Sequence, residues 1–246
     1  GSSGIAVGMT TNIPPHNIKE ACDATIYAIE YPECTNLDLM RFIKGPDFPT
    51  GGIILGENGI KQAYETGKGK LIVRAKAEIE DGKIIITEIP YMVNKSLLIE
   101  DIARLVQEKR IEGISDIRDE SDRKGMRIVI ETKKSFEPEL ILNQLYKLSS
   151  LQTTFGVINL ALVNNEPKVL DLKGLIKEFI VHRKNVVIRR TKFELDKAEK
   201  RAHILQGLRI ALSNIDPVVQ LIKRSETVEV ARIGLVERFN LTEIQA

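Results

Sequence analysis

The residues that could carry out chemistry are scattered along this 246-residue chain. Its three histidines, His16, His182 and His203, lie too far apart to predict a catalytic triad or a metal cluster. Cys22 and Cys34 are not part of a CxxC pair and have no pair of histidines nearby, so neither a zinc site nor a disulfide scaffold is indicated. A reduced, cytosolic compartment is therefore the default expectation.

An acidic cluster is the one candidate for binding Mg²⁺. Its members are Asp116, Asp119, Glu120 and Asp122. The basic residues Arg118, Arg123 and Lys124 interleave with them, and opposite charges at such spacing are typical of a solvated hairpin turn. The polar turn is the favoured interpretation, and a magnesium site is the alternative.

The glycine-rich segments do not predict a phosphate-binding loop. GENG at residues 56–59 and TGKGK at residues 66–70 lack the GxxxxGK[ST] spacing, so both are interpreted as turns. The chain also lacks GxSxG and HExxH motifs, and none of its five tyrosines stands in a local context typical of a nucleophile. These motifs do not predict a complete enzyme from this chain by itself.

Basic residues are concentrated in one segment, although the net charge of the chain is only +2. Between residues 173 and 192 the basic residues are Lys173, Lys177, Arg183, Lys184, Arg189, Arg190 and Lys192. Glu178 is the only acid among them. On a helix this density could follow the phosphates of a nucleic acid, or it could be the solvated face of an amphipathic rod.

Ile5 has two interpretations on local sequence alone. It lies among small residues, which let a backbone approach DNA closely, so an exposed Ile5 could wedge between base steps. The alternative is an ordinary core side chain, which local sequence favours.

The composition excludes several classes of protein. Hydrophobic residues make up 43% and charged residues 28%, as in globular proteins that fold. No apolar run approaches the roughly 18 residues of a membrane span. Aromatic residues make up 5%, with no Trp, which disfavours a stacking platform for single strands.

Patterning predicts an α+β unit followed by a helical arm. Residues 4–17 are expected to be extended, residues 17–29 helical, and residues 45–52 a loop near a subdomain boundary. The next elements follow in the order β-β-α-β-β-α-β. The strands are predicted at residues 70–80, 83–89, 113–118, 126–131 and 155–163, with a hairpin turn at Asp81-Gly82 between the first two. The two helices are predicted after a cap at Asn94 or Ser96 and at residues 138–148. This order predicts a mostly antiparallel or mixed sheet with helices on one face.

A long helix is predicted from Asp171 to about Asn214. Its apolar positions recur at steps of three and four residues at Leu195, Ala198, Ala202, Leu205 and Leu212. About 40 residues at 1.5 Å each give roughly 60 Å, which indicates an arm or a coiled coil. Two further helices are expected at residues 216–224 and 227–239.

Several stretches together resemble a known family. They are GSSGIAVGMTTNIPPHN, GPDFPT, YETGKGK, EIPYMVNK, EGISDIRDESDRKGMRIVIE and RRTKFELDKAEKRAHILQGL. In order, and over essentially the whole chain, they resemble the A subunits of the type IIA topoisomerases, DNA gyrase and topoisomerase IV. EGISDIRDESDRKGMRIVIE favours gyrase, with a fragment of the topoisomerase IV A subunit or a non-catalytic architectural DNA-binding module as alternatives.

The resemblance implies ATP-dependent double-strand DNA passage and supercoiling by a cytoplasmic, chromosome-associated enzyme. The family's nucleophilic tyrosine is expected upstream of this chain, so no catalytic residue, metal site or cofactor is expected within it. Mg²⁺ and ATP are implied through the partner B subunit. The other expected partners are double-stranded DNA and a second copy of the A subunit, in a homodimer, with no membrane.

The resemblance also implies a division of the chain. Residues 1–45 correspond to the end of the DNA-gate region and the entry to the tower, residues 46–168 to the tower domain, and residues 169–246 to a coiled-coil arm truncated before the exit-gate dimer interface. Ile5 matches the isoleucine that intercalates and bends DNA. Arg183, Lys184, Arg189 and Arg190 are the candidate DNA contacts on the arm, and the solvated helical arm remains the alternative for them.

Overall fold

A computed structural model of the protein describes residues 1–123 and 125–246. Lys124 of the predicted acidic and basic turn therefore lies outside the described residues. The chain forms two compact units, Gly1–Ile180 and Val181–Ala246. No helix in the described ranges is both long enough and apolar enough to cross a membrane.

The first unit contains all the described strands. In chain order its elements are β1 (Ser2–Ala6), β2 (Met9–Ile13), α1 (Ile18–Glu30), α2 (Asn36–Leu39), β3 (Ile53–Leu55), α3 (Asn58–Thr66), β4 (Lys68–Arg74), β5 (Lys76–Glu80), β6 (Lys83–Glu88), α4 (Lys95–Gln107), β7 (Ile114–Asp119), β8 (Ile128–Thr132), α5 (Pro138–Leu148), β9 (Gln152–Ile158), β10 (Leu160–Val163) and β11 (Glu166–Val169). Helix α6 (Leu172–Ser213) begins in this unit and continues into the second, which also contains α7 (Ile215–Arg224) and α8 (Val228–Phe239).

The strands form three sheets in which the described pairs are antiparallel. The first has five strands in the order β1-β2-β9-β4-β3, the second has four in the order β5-β6-β8-β7, and the third is the β10-β11 hairpin. Together with the 42 residues of α6, these sheets confirm the predicted α+β class with a long helix.

Two strands that were predicted as continuous are each divided between two sheets. The segment 70–80 breaks at the buried Ala75, whose N–H donates to the Leu151 carbonyl at 2.8 Å. The segment 155–163 breaks at Asn159, whose N–H donates to the Gly67 carbonyl at 2.8 Å. These two predictions were wrong because the N–H groups of Ala75 and Asn159 form hydrogen bonds outside the strand ladders on either side of them. Apolar residues continue on both sides of each break, so the sequence pattern does not show it.

Both predicted helices of the central segment pack on one face of the four-stranded sheet. Alternate residues of β6 and β8, Ile84, Ile86, Ile128 and Ile130, are fully buried in one cluster with residues of α4 and α5. Asn94 caps α4 by accepting the Leu97 N–H at 3.1 Å, as one of the two predicted caps. This antiparallel sheet confirms the prediction of helices on one face, whereas the last strand predicted for it, at residues 155–163, pairs elsewhere.

The five-stranded sheet packs against α1 and α3 in a second core cluster. Leu71 and Val73 of β4 and Phe155 and Val157 of β9 point into it. Helix α3 was not predicted: residues 56–59 were interpreted as a turn, although Asn58 and Gly59 are the first residues of the helix. Residues 66–70 were also interpreted as a turn. Only Gly67 behaves in that way, as the left-handed C-cap of α3 (φ 74°), whereas Lys68 begins β4.

The second unit has a small core of its own. Val218 of α7, Leu235 of α8 and Leu241 are buried together, with Ile210 of α6 packed against them. The terminal residues fold back onto α6 in this unit. His203 Nε2 lies 2.6 Å from Thr242 Oγ1, and Gln245 Nε2 donates to the His203 carbonyl at 2.7 Å.

The predicted seam of the long helix is not covered in this chain. Leu195, Leu205 and Leu212 are exposed. The long helix itself is confirmed, while its pairing as a coiled coil stays a prediction.

Candidate nucleic-acid interface

The N-terminal residues form a hairpin with an apolar tip. Strands β1 and β2 pair with Ile5 opposite Thr10, and the connection is the two-residue turn Val7-Gly8, where Gly8 has a φ of 79°. The side chain of Ile5 is 92% exposed and that of Val7 is fully exposed. Ile5 is therefore not a core residue in this chain, and the core alternative is removed.

The hairpin was predicted only as extended chain. A glycine in a two-residue connection between short runs of β-type residues is a hairpin signal, and Val7-Gly8 has this form. The signal is weak because neither strand has a strongly alternating apolar pattern. The physical reason is that no face of β1 is buried: all five of its residues are exposed.

Side-chain hydrogen bonds hold the hairpin against the rest of the unit. The ladder between β2 and β9 consists of a single pair, Asn12 with Ile158. Asn12 Nδ2 donates to the Gly156 carbonyl at 2.7 Å, and Thr11 Oγ1 donates to the Leu160 carbonyl at 2.8 Å. These bonds fix β2, and β2 in turn fixes the exposed strand that carries Ile5.

A partly buried polar pair lies at the root of the hairpin. His16 Nε2 lies 2.8 Å from the Tyr64 hydroxyl of α3. Burial lowers the pKa of His16, and burial also raises the pKa of Tyr64, so both groups are neutral at pH 7. The next residue, Asn17, caps α1 by accepting the Lys19 N–H at 3.0 Å. The segment after β2 is thus attached to two helices.

The four candidate arm residues lie on α6 within the second unit and are exposed: Arg183, Lys184, Arg189 and Arg190. Arg190 Nε is 3.8 Å from Glu194, an exposed pair that contributes little to stability. Within the described ranges the other three have no carboxylate within 4.0 Å. Their charges are available to a ligand, but the same geometry also fits a solvated face.

The acidic cluster is occupied by basic partners. Arg118 contacts Asp116 at 2.9 Å, Glu120 at 3.3 Å and Glu131 at 2.7 Å. Lys95 lies 2.6 Å from Asp119, and this bond, helped by Ser121, lowers the pKa of Asp119 to about 2.

The cluster differs from its prediction in one respect. Asp119 is the last residue of strand β7 rather than part of the turn, whereas Asp116 lies within the strand predicted at residues 113–118. Across the described part of the chain, no three His, Cys, Asp or Glu residues form a group that could hold a metal ion.

Comparison with known proteins identifies the family of this chain. Residues 1–246 match the family of DNA gyrase/topoisomerase IV A subunits. The DNA gyrase A subunit of Clostridium acetobutylicum is 59% identical over 251 residues, and that of Halalkalibacterium halodurans is 56% identical over 250. Each alignment covers 100% of this chain and 30% of the relative.

The chain therefore belongs to the family of DNA gyrase/topoisomerase IV A subunits. The DNA gyrase A subunit of Dehalogenimonas lykanthroporepellens is also similar, at 54% identity over 253 residues. The chain spans about a third of the length of these relatives.

Proposed function

We propose that this chain is the DNA-binding and DNA-bending part of a gyrase A subunit, which acts in ATP-dependent double-strand passage and supercoiling. The observation that supports it most directly is Ile5, an apolar side chain held almost fully exposed on a fixed hairpin. Apolar side chains in this position are used by proteins that kink duplex DNA. The family and the gyrase relatives supply the biological context.

Ile5 acts as a wedge between base pairs in this proposal. Unstacking one base step costs a few kcal/mol, which the additional contacts made by bent DNA offset. A β-branched side chain suits the task because its χ1 is already restricted, so insertion orders it further at little cost. Specificity for sequence is expected to be low, since shape and phosphates are read rather than base edges.

The basic start of α6 is a second DNA contact in this proposal. Arg183, Lys184, Arg189 and Arg190 would each neutralise a phosphate and release a counterion. Their exposure and the lack of carboxylate partners for three of them in the described ranges support this role. Neutralising Arg183 and Arg189 should therefore flatten the salt dependence of DNA binding, and an unchanged slope would return them to a solvated face.

The chemical step is assigned to parts of the enzyme outside this chain. We propose that the nucleophilic tyrosine belongs to a winged-helix domain of the same polypeptide, and that a partner B subunit binds Mg²⁺ and ATP. Tyr64 is a poor nucleophile because burial raises its pKa and its hydroxyl bonds to His16. Mg²⁺ would supply charge stabilisation at the phosphate. A homodimer of gyrase A chains in the cytoplasm, associated with the chromosome, completes the proposed assembly.

Energy transfer between the labelled ends of a short duplex tests the bending role. The chain should shorten the end-to-end distance, and Ile5→Ala should abolish most of that change while leaving the fold intact. Leu140→Ala is a matched control, because Leu140 is 63% exposed on helix α5, outside the five-stranded sheet. Equal bending by the Ile5→Ala variant, in this chain and in the full-length enzyme, would remove Ile5 from the interface.

A further inference from the structure

The register of the five-stranded sheet places Ile5 on the same face as two lysines. Residues that are directly opposite in an antiparallel ladder share a face, and so do residues two apart in one strand. Ile5 is opposite Thr10, and Asn12 lies two residues further along β2. Asn12 is opposite Ile158, which is in turn opposite Lys68. Lysine side chains of β4 therefore share the outer face with the wedge.

Strand β4 presents three basic residues to this outer face: Lys68, Lys70 and Arg74. Arg74 is engaged within the protein, since its Nε donates to Gln152 at 2.9 Å and its guanidinium lies 4.3 Å from the centre of the Tyr146 ring. Lys68 and Lys70 are exposed and have no carboxylate within 4.0 Å in the described part of the chain. Two positive charges are thus left unmatched on the face that carries Ile5.

The surroundings of the two lysines favour an anionic ligand. No described strand of this sheet contains an aspartate or a glutamate. The face is also open at Gly156, opposite Lys70, where an added Cβ would meet no heavy atom within 4 Å. A groove of about 460 Å³ runs between the hairpin and β10-β11, and both Ile5 and Lys68 line it. An extended polyanion can therefore approach the lysines and the wedge together.

We propose that Lys68 and Lys70 bind backbone phosphates of the duplex beside the base step into which Ile5 inserts. This proposal rests on the proposed function and assigns further residues to it. The two lysines lie about 7 Å apart along the strand, so each can contact a separate phosphate. Because they project from a sheet, they hold the duplex in a fixed position relative to the wedge, which the flexible end of a loop would not do.

Binding of the chain to a short duplex across a salt series tests the proposal. Lys68→Gln with Lys70→Gln should flatten the slope of log affinity against log salt by about two phosphate contacts, roughly 1.8 in slope. Lys68→Arg with Lys70→Arg should keep the slope. Lys133→Gln with Lys134→Gln is the matched control, since both are exposed lysines of the same unit that lie outside this sheet.

A second measurement separates direct contact from general loss of charge. Methylphosphonate linkages that neutralise the phosphates beside the bent step should weaken binding by the unsubstituted chain. The same linkages should not weaken DNA binding by the Lys68→Gln and Lys70→Gln variant any further, because that variant already lacks the lysine–phosphate contacts that the linkages remove.

The outcomes distinguish this proposal from the proposed function. If the chain binds and bends DNA but the lysine variant keeps the full slope, the phosphate contacts are wrong and the wedge stands. If the variant matches the lysine control in both measurements, the same conclusion holds. If the unsubstituted chain and the full-length enzyme neither bind nor bend duplex DNA, the proposed function fails and this proposal fails with it.

Discussion

The two larger sheets of the first unit both carry basic residues on their strands, yet they use them differently. On the four-stranded sheet Arg118 and Lys83 each contact Glu131, at 2.7 Å and 3.0 Å, and the basic side chains cover a surface that has carboxylates to match. On the five-stranded sheet Lys68 and Lys70 face a surface without a single acidic residue in its described strands.

The matched charges of the four-stranded sheet have a structural role. Ile85 and Val129 lie opposite each other on its outer face and are nearly fully buried, although α4 and α5 pack on the other face. Arg118 is opposite Val129, so the aliphatic part of its side chain lies beside this pair while its guanidinium contacts carboxylates. The difference between the sheets teaches that the acidic partners, rather than the number of basic residues, decide the role of a basic surface. With carboxylates it forms a protective ionic layer, and without them it is available to a ligand.

The largest expected effect concerns the apolar face of the four-stranded sheet. Ile130→Ala should reduce the free energy of unfolding of the first unit by about 2–5 kcal/mol, because it removes a fully buried side chain and leaves a cavity. Denaturant unfolding measures the change. Ile5→Ala is the contrast, with an expected change within about 0.5 kcal/mol. A large loss of stability on Ile5→Ala would mean that the hairpin tip is part of a core.

Several helices of this chain could be predicted because their signals are local. Asn17 and Asn94 cap α1 and α4 as their types suggest, and Pro138 occupies the first position of α5. The division of strands at Ala75 and Asn159 could not be predicted in this way. Each break depends on a partner distant in sequence, such as Leu151 for the Ala75 N–H.

The candidate site shows the same limit. Ile5 was identified by the resemblance to the family, and the sequence around it left core and wedge both open until its exposure was known. Lys68 was interpreted as part of a turn and Lys70 as the place where that turn ends and a strand begins, so their common face with Ile5 was missed. That face is defined by pairing across β2, β9 and β4, and these strands are separated by more than 50 residues along the chain.

An added carboxylate should make the five-stranded sheet resemble the four-stranded one. Gly156→Glu places an acid opposite Lys70 in open space, so it should pair with the lysine and reduce the salt slope of DNA binding by about one unit. Ser135→Glu, at an exposed position before α5, is the control for the added charge. Equal slopes for the two variants would show that DNA does not lie on this face.

The smallest expected effect concerns the root of the hairpin. Burial lowers the pKa of His16 below its ordinary value of 6.5, so the folded chain binds fewer protons there than the unfolded chain. The contribution of His16 to the free energy of unfolding is therefore fully present above pH 6.5, and it is lost as the pH falls from 6.5 towards the lowered pKa. Over this range the free energy of unfolding changes by at most about 1.4 kcal/mol per pH unit.

His16→Gln should remove this part of the pH dependence while still offering Tyr64 a hydrogen-bonding partner. Amide hydrogen exchange in β2 and β9 between about pH 5 and 7 measures the change, after correction for the intrinsic exchange rate. His182→Gln, at an exposed position of α6, should leave the pH dependence as it is. Because Ile5 depends on β2 for its position, loss of the His16–Tyr64 pair should also lower DNA bending at acidic pH in the unsubstituted chain. Bending that stays constant over the same pH range, in a chain that remains folded, would separate the His16–Tyr64 pair from the wedge.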